Sequence, residues 1–494
     1  MKMSTLDPED WEHIRALGHR MLDDMLNNIR TVAQKPVWQP PPAAVRALFQ
    51  TASLPQKGVD LEVLYQQFIA HVVPYAVGNR HPRFMGWVHG GGTAQGMLAD
   101  MLAAGLNANV GGRNHVPVDV EHMVIRWVTQ MFHFPSTTTG LLVSGSSMAN
   151  FIALLTACRA IAGEEVRQSG LSGRHLVGYA CESAHGCMAR SFDMAGLGIQ
   201  ALRRVKTDNH FRMDITHLKQ MMTADRDQGL EPFVLIGTAG TVNVGAIDPL
   251  EALADIAAEE KLWFHIDGAF GAMAILSQQH APLLQGIERA DSLAFDFHKW
   301  LQVPYDAGCV LIRHPEVQAK TFAQSLDYLS REDRGLAALS GEAPWFCDLG
   351  PELSRGFRAL KVWFALAGFG TEALGAVIAR SCQVAHYLEA KVQTLPWLEL
   401  MAPVVLNIVC FRVIGEKIKN INRFNAELVK DLHESGIAAP STTKINGHVV
   451  IRVALVNHRT TEQDIDILLD ALHSLAFVRI KKQESRINRF LVRA

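Results

Sequence analysis

Two rhythms of hydrophobic and polar positions run along this chain, and the change from one to the other separates its regions. Between residues 8 and 33 apolar side chains recur at helical spacing, with Trp11, Ile14, Leu17, Met21 and Met25 on one side, which predicts an amphipathic helix. The proline-rich "KPVWQPPPAAV" at 36–46 ends it in an extended connector, because proline lacks the backbone donor a helix interior needs. A second irregular stretch, "VPYAVGNRHPRFMGWVHGGG", leads into "MLADMLAAGLNANVGGRN". Residues 1–92 therefore read as a helical arm that packs against something larger.

Further on, the pattern becomes regular. Short apolar runs "GLLVSG", "HLVGYACE", "ALRRVK", "FVLIGTAG", "LWFHIDGA", "SLAFDFH" and "GCVLIR" alternate with helical stretches at 148–162, 213–223 and 249–260. This alternation predicts an α/β domain over 93–372, a mostly parallel seven-stranded sheet covered by helices. Ligands of such sheets sit at the carboxyl ends of the strands. From 373 to 494 a smaller α+β domain is expected, with strands "VLNIVCFRV" and "HVVIRVALVN" and helices near 421–435 and 461–477, the last opening on the capping pattern "TTEQD".

Composition narrows the function classes. The 494 residues are 48% hydrophobic and 19% charged, with a formal net charge of −2; apart from a mildly basic end, "KKQESRINRFLVRA", no Lys/Arg run offers a nucleic acid a surface. Seven cysteines without a CxxC pair point to reduced thiols rather than a disulfide or zinc framework. The charged N-terminus lacks the apolar core of a signal peptide, and no uncharged apolar run approaches the ~18–20 residues of a membrane span. A soluble cytoplasmic protein is expected.

Candidate chemistry gathers where the strands stop. Lys299 in "DSLAFDFHKWLQVPYDAG" follows an apolar run and is flanked by His298 and Trp300; a lysine in apolar surroundings is a candidate nucleophile, although an exposed strand-end lysine gives the same pattern. "LLVSGSSMAN" passes from a strand through Gly145, Ser146 and Ser147 into a helix, a geometry that suits a phosphate and equally an ordinary helix cap. "LWFHIDGAFGA" ends a strand on Asp267, followed by Gly268 and Ala269, leaving room for a flat ligand beside a carboxylate that needs a cationic partner. His265 and Asp267 share a strand face, yet supply no third ligand for a metal. "LIGTAGTVNVGAIDPL" forms a tight loop with Thr238 and Thr241, and His185 follows the strand 175–182. Together a phosphate seat, a carboxylate, a histidine and an amine describe a site for pyridoxal phosphate (PLP).

With these residues in family order, the sequence resembles the PLP-dependent aromatic L-amino acid decarboxylases and their glutamate, histidine and tyrosine decarboxylating relatives. The resemblance covers nearly the whole chain and rests on "HPRFMGWV", "MLADMLAAGLNANVGG", "VSGSSMAN", "SAHGCMARS", "GTAGTVNVGAIDPL", "HIDGAFGA", "FDFHKWLQVPYDAG" and "LSRGFRALKVW". It implies the PLP-dependent transferase fold shared with aspartate aminotransferase. It also implies Lys299 as the Schiff-base lysine, Asp267 on the pyridine nitrogen, His185 stacked on the ring, and Ser146 and Ser147 near the phosphate. Ala269 would lie under the ring, with His298 and Thr241 also beside the cofactor. The relatives are homodimers with sites at the interface, wrapped by an N-terminal segment. The implied reaction converts an L-amino acid, with an aromatic one first, to its amine and CO2; another PLP lyase, an aminotransferase or a PLP-fold binding protein are more distant readings.

Three departures qualify the resemblance. Counting back without gaps from "LSRGFRALKVW", the position of the family's proton-donating loop tyrosine falls on Phe346, which has no proton to give. In plant relatives phenylalanine there accompanies an aldehyde, ammonia and hydrogen peroxide, while Tyr328 on the same loop offers a replacement donor. In the expected substrate pocket the chain carries Trp87, Val88, His89, Gly90 and, further on, Arg113, so an acidic or polar substrate competes with an aromatic one. Val242 stands where many relatives place a threonine.

Overall fold

The computed structural model describes residues 5–491 except 172, 325, 326, 328, 329 and 340–343. Helix α1 (Trp11–Arg30) is capped by the Asp10 carboxylate, which accepts the His13 N–H at 3.0 Å. Of its residues only Leu17 and Asn28 are buried, and Trp11 is exposed, so the apolar face predicted from spacing is mostly uncovered within one chain.

The large sheet contains β1 (Thr139–Val143), β2 (Leu176–Cys181), β3 (Leu202–Val205), β4 (Glu231–Thr238), β5 (Trp263–Asp267), β6 (Ser292–Asp296) and β7 (Gly308–Ile312). Their order is β1-β7-β6-β5-β4-β2-β3. Pairings from β6 through β3 are parallel, and β7 runs antiparallel to both β6 and β1. All residues of β2, β5, β6 and β7 are buried, as strands covered on both faces must be, which is why they read as continuous apolar runs. Helix α2 (Ser146–Ala162) packs across β4 to β7.

Helix α3 (Ala359–Thr394) crosses the expected boundary at 372/373 and is broken at Gly370, whose φ of 77° and ψ of 155° are non-helical. Among the described helices it alone is long and apolar enough to cross a membrane; instead Val362, Leu374 and Ile378 pack into the core of the large sheet and Val384, Leu388 and Val392 into that of the small one. The small sheet comprises β8 (Leu398–Leu400), β9 (Ile408–Val413), β10 (Ala439–Ile445) and β11 (His448–Ala454). A short strand, Phe84–Met85, joins its edge parallel to β10, so the N-terminal segment contributes to the C-terminal sheet.

Candidate active site

A cavity of about 470 Å³ opens at the carboxyl ends of β1, β2, β4, β5 and β6. Lys299, Asp267, His185, Ser146, Ser147, Ala269, His298, Trp87 and His89 all line it. Each follows from the strand-end rule: a strand is buried until it stops, and the first residues beyond it face the crevice.

Asp267 is 2% exposed. Burial pushes its carboxyl pKa up, against the opposing pull of Lys299, His185, the Ala269 N–H and Asn150. A buried carboxylate of this kind calls for a cation or a strong donor, and a protonated pyridine nitrogen has that chemistry. Across the cavity Gly145 turns the chain into α2, and a Cβ there would sit 3.5 Å from His298 Cε1 and 3.7 Å from Asp296 Oδ1, filling space that a phosphate group needs. Of the first donors of α2, the N–H and hydroxyl of Ser146 go to Asp296 and the Met148 N–H to the Gly145 carbonyl, which leaves the Ser147 N–H and hydroxyl beside that space. His89, stacked on Trp87 with ring centres 5.9 Å apart, has a buried Nδ1 without a hydrogen-bond partner among the described residues. The Ser147 donors and the buried Asp267 carboxylate, both lining this cavity, fit PLP.

Lys299 carries a contact its sequence did not announce. Its Nζ lies 2.8 Å from Oδ2 of Asp296, a residue 1% exposed. The same carboxylate accepts the Ser146 N–H at 2.6 Å and the Ser146 hydroxyl at 2.7 Å. Gly308 permits this approach, since a Cβ there would meet the Gly145 Cα at 2.5 Å and Asp296 Oδ1 at 2.8 Å. Asp296 stands three residues before Lys299 in "FDFHK", the signal that could have found it. Thr238, singled out from sequence at the end of β4, lines the cavity, and Cys187 and Tyr305 also line it without having been expected there.

Four expected residues lie elsewhere. Thr241 is fully buried and its hydroxyl accepts the Ala246 N–H at 3.1 Å, shaping its own loop, while Val242 reaches the cavity. Gly90 packs behind the lysine: a Cβ would meet the carbonyl oxygens of His298 and Lys299 at 2.3 and 2.5 Å. Arg113 lies over the Trp345 ring at 4.6 Å rather than in the cavity. Phe346 requires the largest correction. It is 1% exposed in the interior, stacked on His122 at 4.3 Å with the Arg355 guanidinium 4.9 Å from its ring, so it is a core residue and not a loop residue over the site. Tyr328 lies outside the described residues.

Residues 42–414 match the family model described as the pyridoxal-dependent decarboxylase conserved domain. The chain belongs to this family. It is 35% identical over 472 residues to an aromatic-L-amino-acid decarboxylase of Bacillus atrophaeus, covering 94% of this chain and 96% of that one. A phenylacetaldehyde synthase of Arabidopsis thaliana is 27% identical over 474 residues, covering 93% and 95%. In fold, the chain superposes with a TM-score of 0.88 on an Oryza sativa TDC crystallised with PLP and tryptamine, at 24% identity, covering 96% of this chain and 100% of that one. This decarboxylase is thus a PLP-dependent carboxy-lyase of the fold-type-I class acting on an amino acid.

Proposed function

We propose that the cavity removes the α-carboxyl group of an aromatic L-amino acid and releases the amine and CO2. The observation that carries this reading is the convergence of Lys299, Asp267, His185 and the Ser146–Ser147 turn on one cavity. Bound there, PLP supplies an electron-accepting ring for the pair left when the Cα–carboxylate bond breaks. Lys299 supplies the amine for covalent attachment. Asp267 holds a proton on the ring nitrogen by placing a buried negative charge beside it. His185, in the turn after β2, and Ala269 would contact the ring, and Ser147 and His298 would hold the phosphate, with Ser146 joining them if its donors turned from Asp296.

Trp87, at the cavity mouth and 52% exposed, together with His89 and Tyr305, offers flat surfaces for an aromatic side chain. The name of the Bacillus atrophaeus relative supports the same substrate class and product. The aldehyde route keeps the support of the Arabidopsis thaliana relative's name, but loses that of Phe346, which is buried away from the cavity. Tyr328 stays the candidate for returning a proton to Cα. We further propose a homodimer, for which the exposed apolar side chains Leu48, Phe49, Leu64 and Phe68 of the N-terminal helices supply a surface.

The test measures CO2, amine, aldehyde and peroxide together over a panel of amino acids, with Lys299→Ala as control. Amine without peroxide from an aromatic substrate is expected, together with loss of both the visible cofactor absorbance and the activity in Lys299→Ala. Peroxide in step with CO2 would replace the amine route by the aldehyde route, and turnover of acidic substrates alone would reject the aromatic assignment.

A further inference from the structure

His265 and Trp263 share a face of β5 with Asp267, and the decarboxylation as described uses neither. Trp263 Nε1–H donates to Ser292 Oγ at 2.8 Å. Ser292 Oγ lies 2.8 Å from His265 Nδ1, and His265 Nε2 lies 2.8 Å from Asn150 Oδ1. The Asn150 Nδ2 group donates in turn to Cys187 Sγ at 3.4 Å, on the side where Asn150 meets Asp267. Asn150 and Ser292 are fully buried, and His265 is 2% exposed. With both ring nitrogens engaged, His265 is a relay member and not a metal ligand.

Burial pushes the His265 pKa down to about 3, against the opposing pull of a hydrogen bond to the Ser292 backbone, so the ring is neutral and carries one proton. Two arrangements of that proton are conceivable. In the first, the Ser292 hydroxyl donates to Nδ1, Nε2–H donates to the Asn150 carbonyl oxygen, and the Asn150 N–H groups face Cys187 and Asp267. Every group is then satisfied. In the second, Nδ1–H donates to Ser292 Oγ and the Asn150 amide is reversed. The Ser292 hydroxyl proton then has no acceptor among its recorded contacts in the described residues, and a carbonyl oxygen is turned toward the Asp267 carboxylate. An unmade hydrogen bond in a fully buried site and a repulsive contact both oppose this arrangement.

We propose that Ser292, His265 and Asn150 are positioning residues that turn an amide N–H toward Asp267 and so hold its carboxylate in the charged form that the cofactor ring requires. The inference rests on the role given to Asp267 above. The direction of the relay is set at its far end: Trp263 Nε1–H is donor-only, so it occupies a Ser292 lone pair and leaves the hydroxyl proton for His265.

Two measurements on the full-length enzyme test it. With isotope-labelled histidine, the nitrogen resonances of His265, assigned by their loss in His265→Gln, are expected to show a neutral ring protonated at Nε2; protonation at Nδ1 would overturn the relay. Ser292→Ala removes the hydroxyl that donates to His265 and accepts from Trp263. Its PLP dissociation constant is expected to rise at least about fivefold, with an altered absorbance of the bound cofactor, and Ser292→Thr is expected to restore both. Wild-type affinity and absorbance in Ser292→Ala would overturn the proposal while leaving Asp267 in place. Wild-type PLP affinity and absorbance in Asp267→Asn would instead overturn the role of Asp267, and the relay with it.

Discussion

Replacing Asp296 by asparagine removes one negative charge from the cavity wall at almost constant volume. The carboxylate accepts three contacts, from the Ser146 N–H at 2.6 Å, the Ser146 hydroxyl at 2.7 Å and the Lys299 ammonium at 2.8 Å. Asparagine keeps an oxygen for the N–H and can offer its own N–H to the Ser146 oxygen, but it has no acceptor left for the ammonium. A hydrogen bond to a charged group contributes about 1.5–3 kcal/mol. A negative charge at the first turn of α2 adds about 0.3–1 kcal/mol. The cofactor-free protein therefore loses about 2–4 kcal/mol. On the role proposed for Lys299, its amine is committed to the cofactor in the loaded enzyme, so the ion pair is no longer there to lose and only the helix contribution disappears. Around the thermodynamic cycle the difference returns as tighter cofactor binding, roughly 10- to 100-fold. Denaturant unfolding of the cofactor-free and loaded forms, with a PLP titration of each protein, measures every side of the cycle. Unchanged stability of the cofactor-free form together with equal or weaker PLP binding would refute the reasoning, and would indicate that Asp296 serves the site by orienting Ser146.

Phe346→Tyr is expected to leave the ratio of amine to aldehyde unchanged and to destabilise the fold by about 1–3 kcal/mol, the cost of a buried hydroxyl without a prepared partner; product analysis beside a thermal melt decides, and a changed ratio would restore Phe346 to the site. Arg355→Leu leaves Glu121 charged in a pair that is fully buried on both sides, with Nη2 to Oε1 at 2.5 Å, so unfolding measurements are expected to show a loss of about 3–5 kcal/mol. Stability is also expected to fall on acidification from about pH 6.5 toward 4, because burial, the largest cause at each, pushes the pKa of His81, His122 and His458 down to about 4 and that of His265 to about 3. The sign follows from proton binding: in that window the unfolded chain takes up protons these folded histidines refuse. Asp248, raised by burial to about 6, acts in the opposite sense, since its folded form holds a proton that the unfolded carboxyl releases above its ordinary pKa. Asp100 and Asp267, also raised by burial, act with Asp248, but His89, His280 and His298 are lowered by burial like the other four. Seven histidines against three carboxyls leave net acid destabilisation, and a melting temperature that rises as pH falls through the window would contradict the balance.

What the chain disclosed on reading depended on whether the signal was local. Strands β2, β5, β6 and β7 were legible because each is a run buried on both faces, and Asp267, His185, Ser146 and Lys299 were legible because they stand where such runs stop. Asp296 ends β6 as Asp267 ends β5 and lies three residues before Lys299, but its contact with Ser146, some 150 residues away and made through the space left by Gly308, was not legible. Phe346 was misplaced by counting along a loop, where length carries no information about burial. Its position is decided by the Arg355–Glu121 pair and His122, contacts that span more than 200 residues. Gly90 and Arg113 failed for the same reason, since proximity in sequence to an aromatic residue does not say which side of the chain faces the crevice.

The two halves of the site are held by a domain that contributes little of its lining. Arg452 on β11 is buried, and burial lowers its pKa to about 10. Its guanidinium donates to the carbonyls of Val242 and Asn243 on one flank of the cavity and of Trp87 on the other. Gln302, three residues after Lys299, accepts the Gly91 N–H and donates to the Val456 carbonyl. The small sheet therefore fixes the distance between the Trp87 wall, the Val242 loop and the lysine turn, and α3 shares its length between both cores. A substitution in the small domain that shifts Arg452 alters the spacing of the walls without touching Lys299, Asp267 or His185. The separation into domains that sequence patterning suggests at 372/373 is therefore not a separation of the cavity's supports: the large sheet carries Lys299, Asp267 and His185, and the small sheet sets the gap between the walls around them.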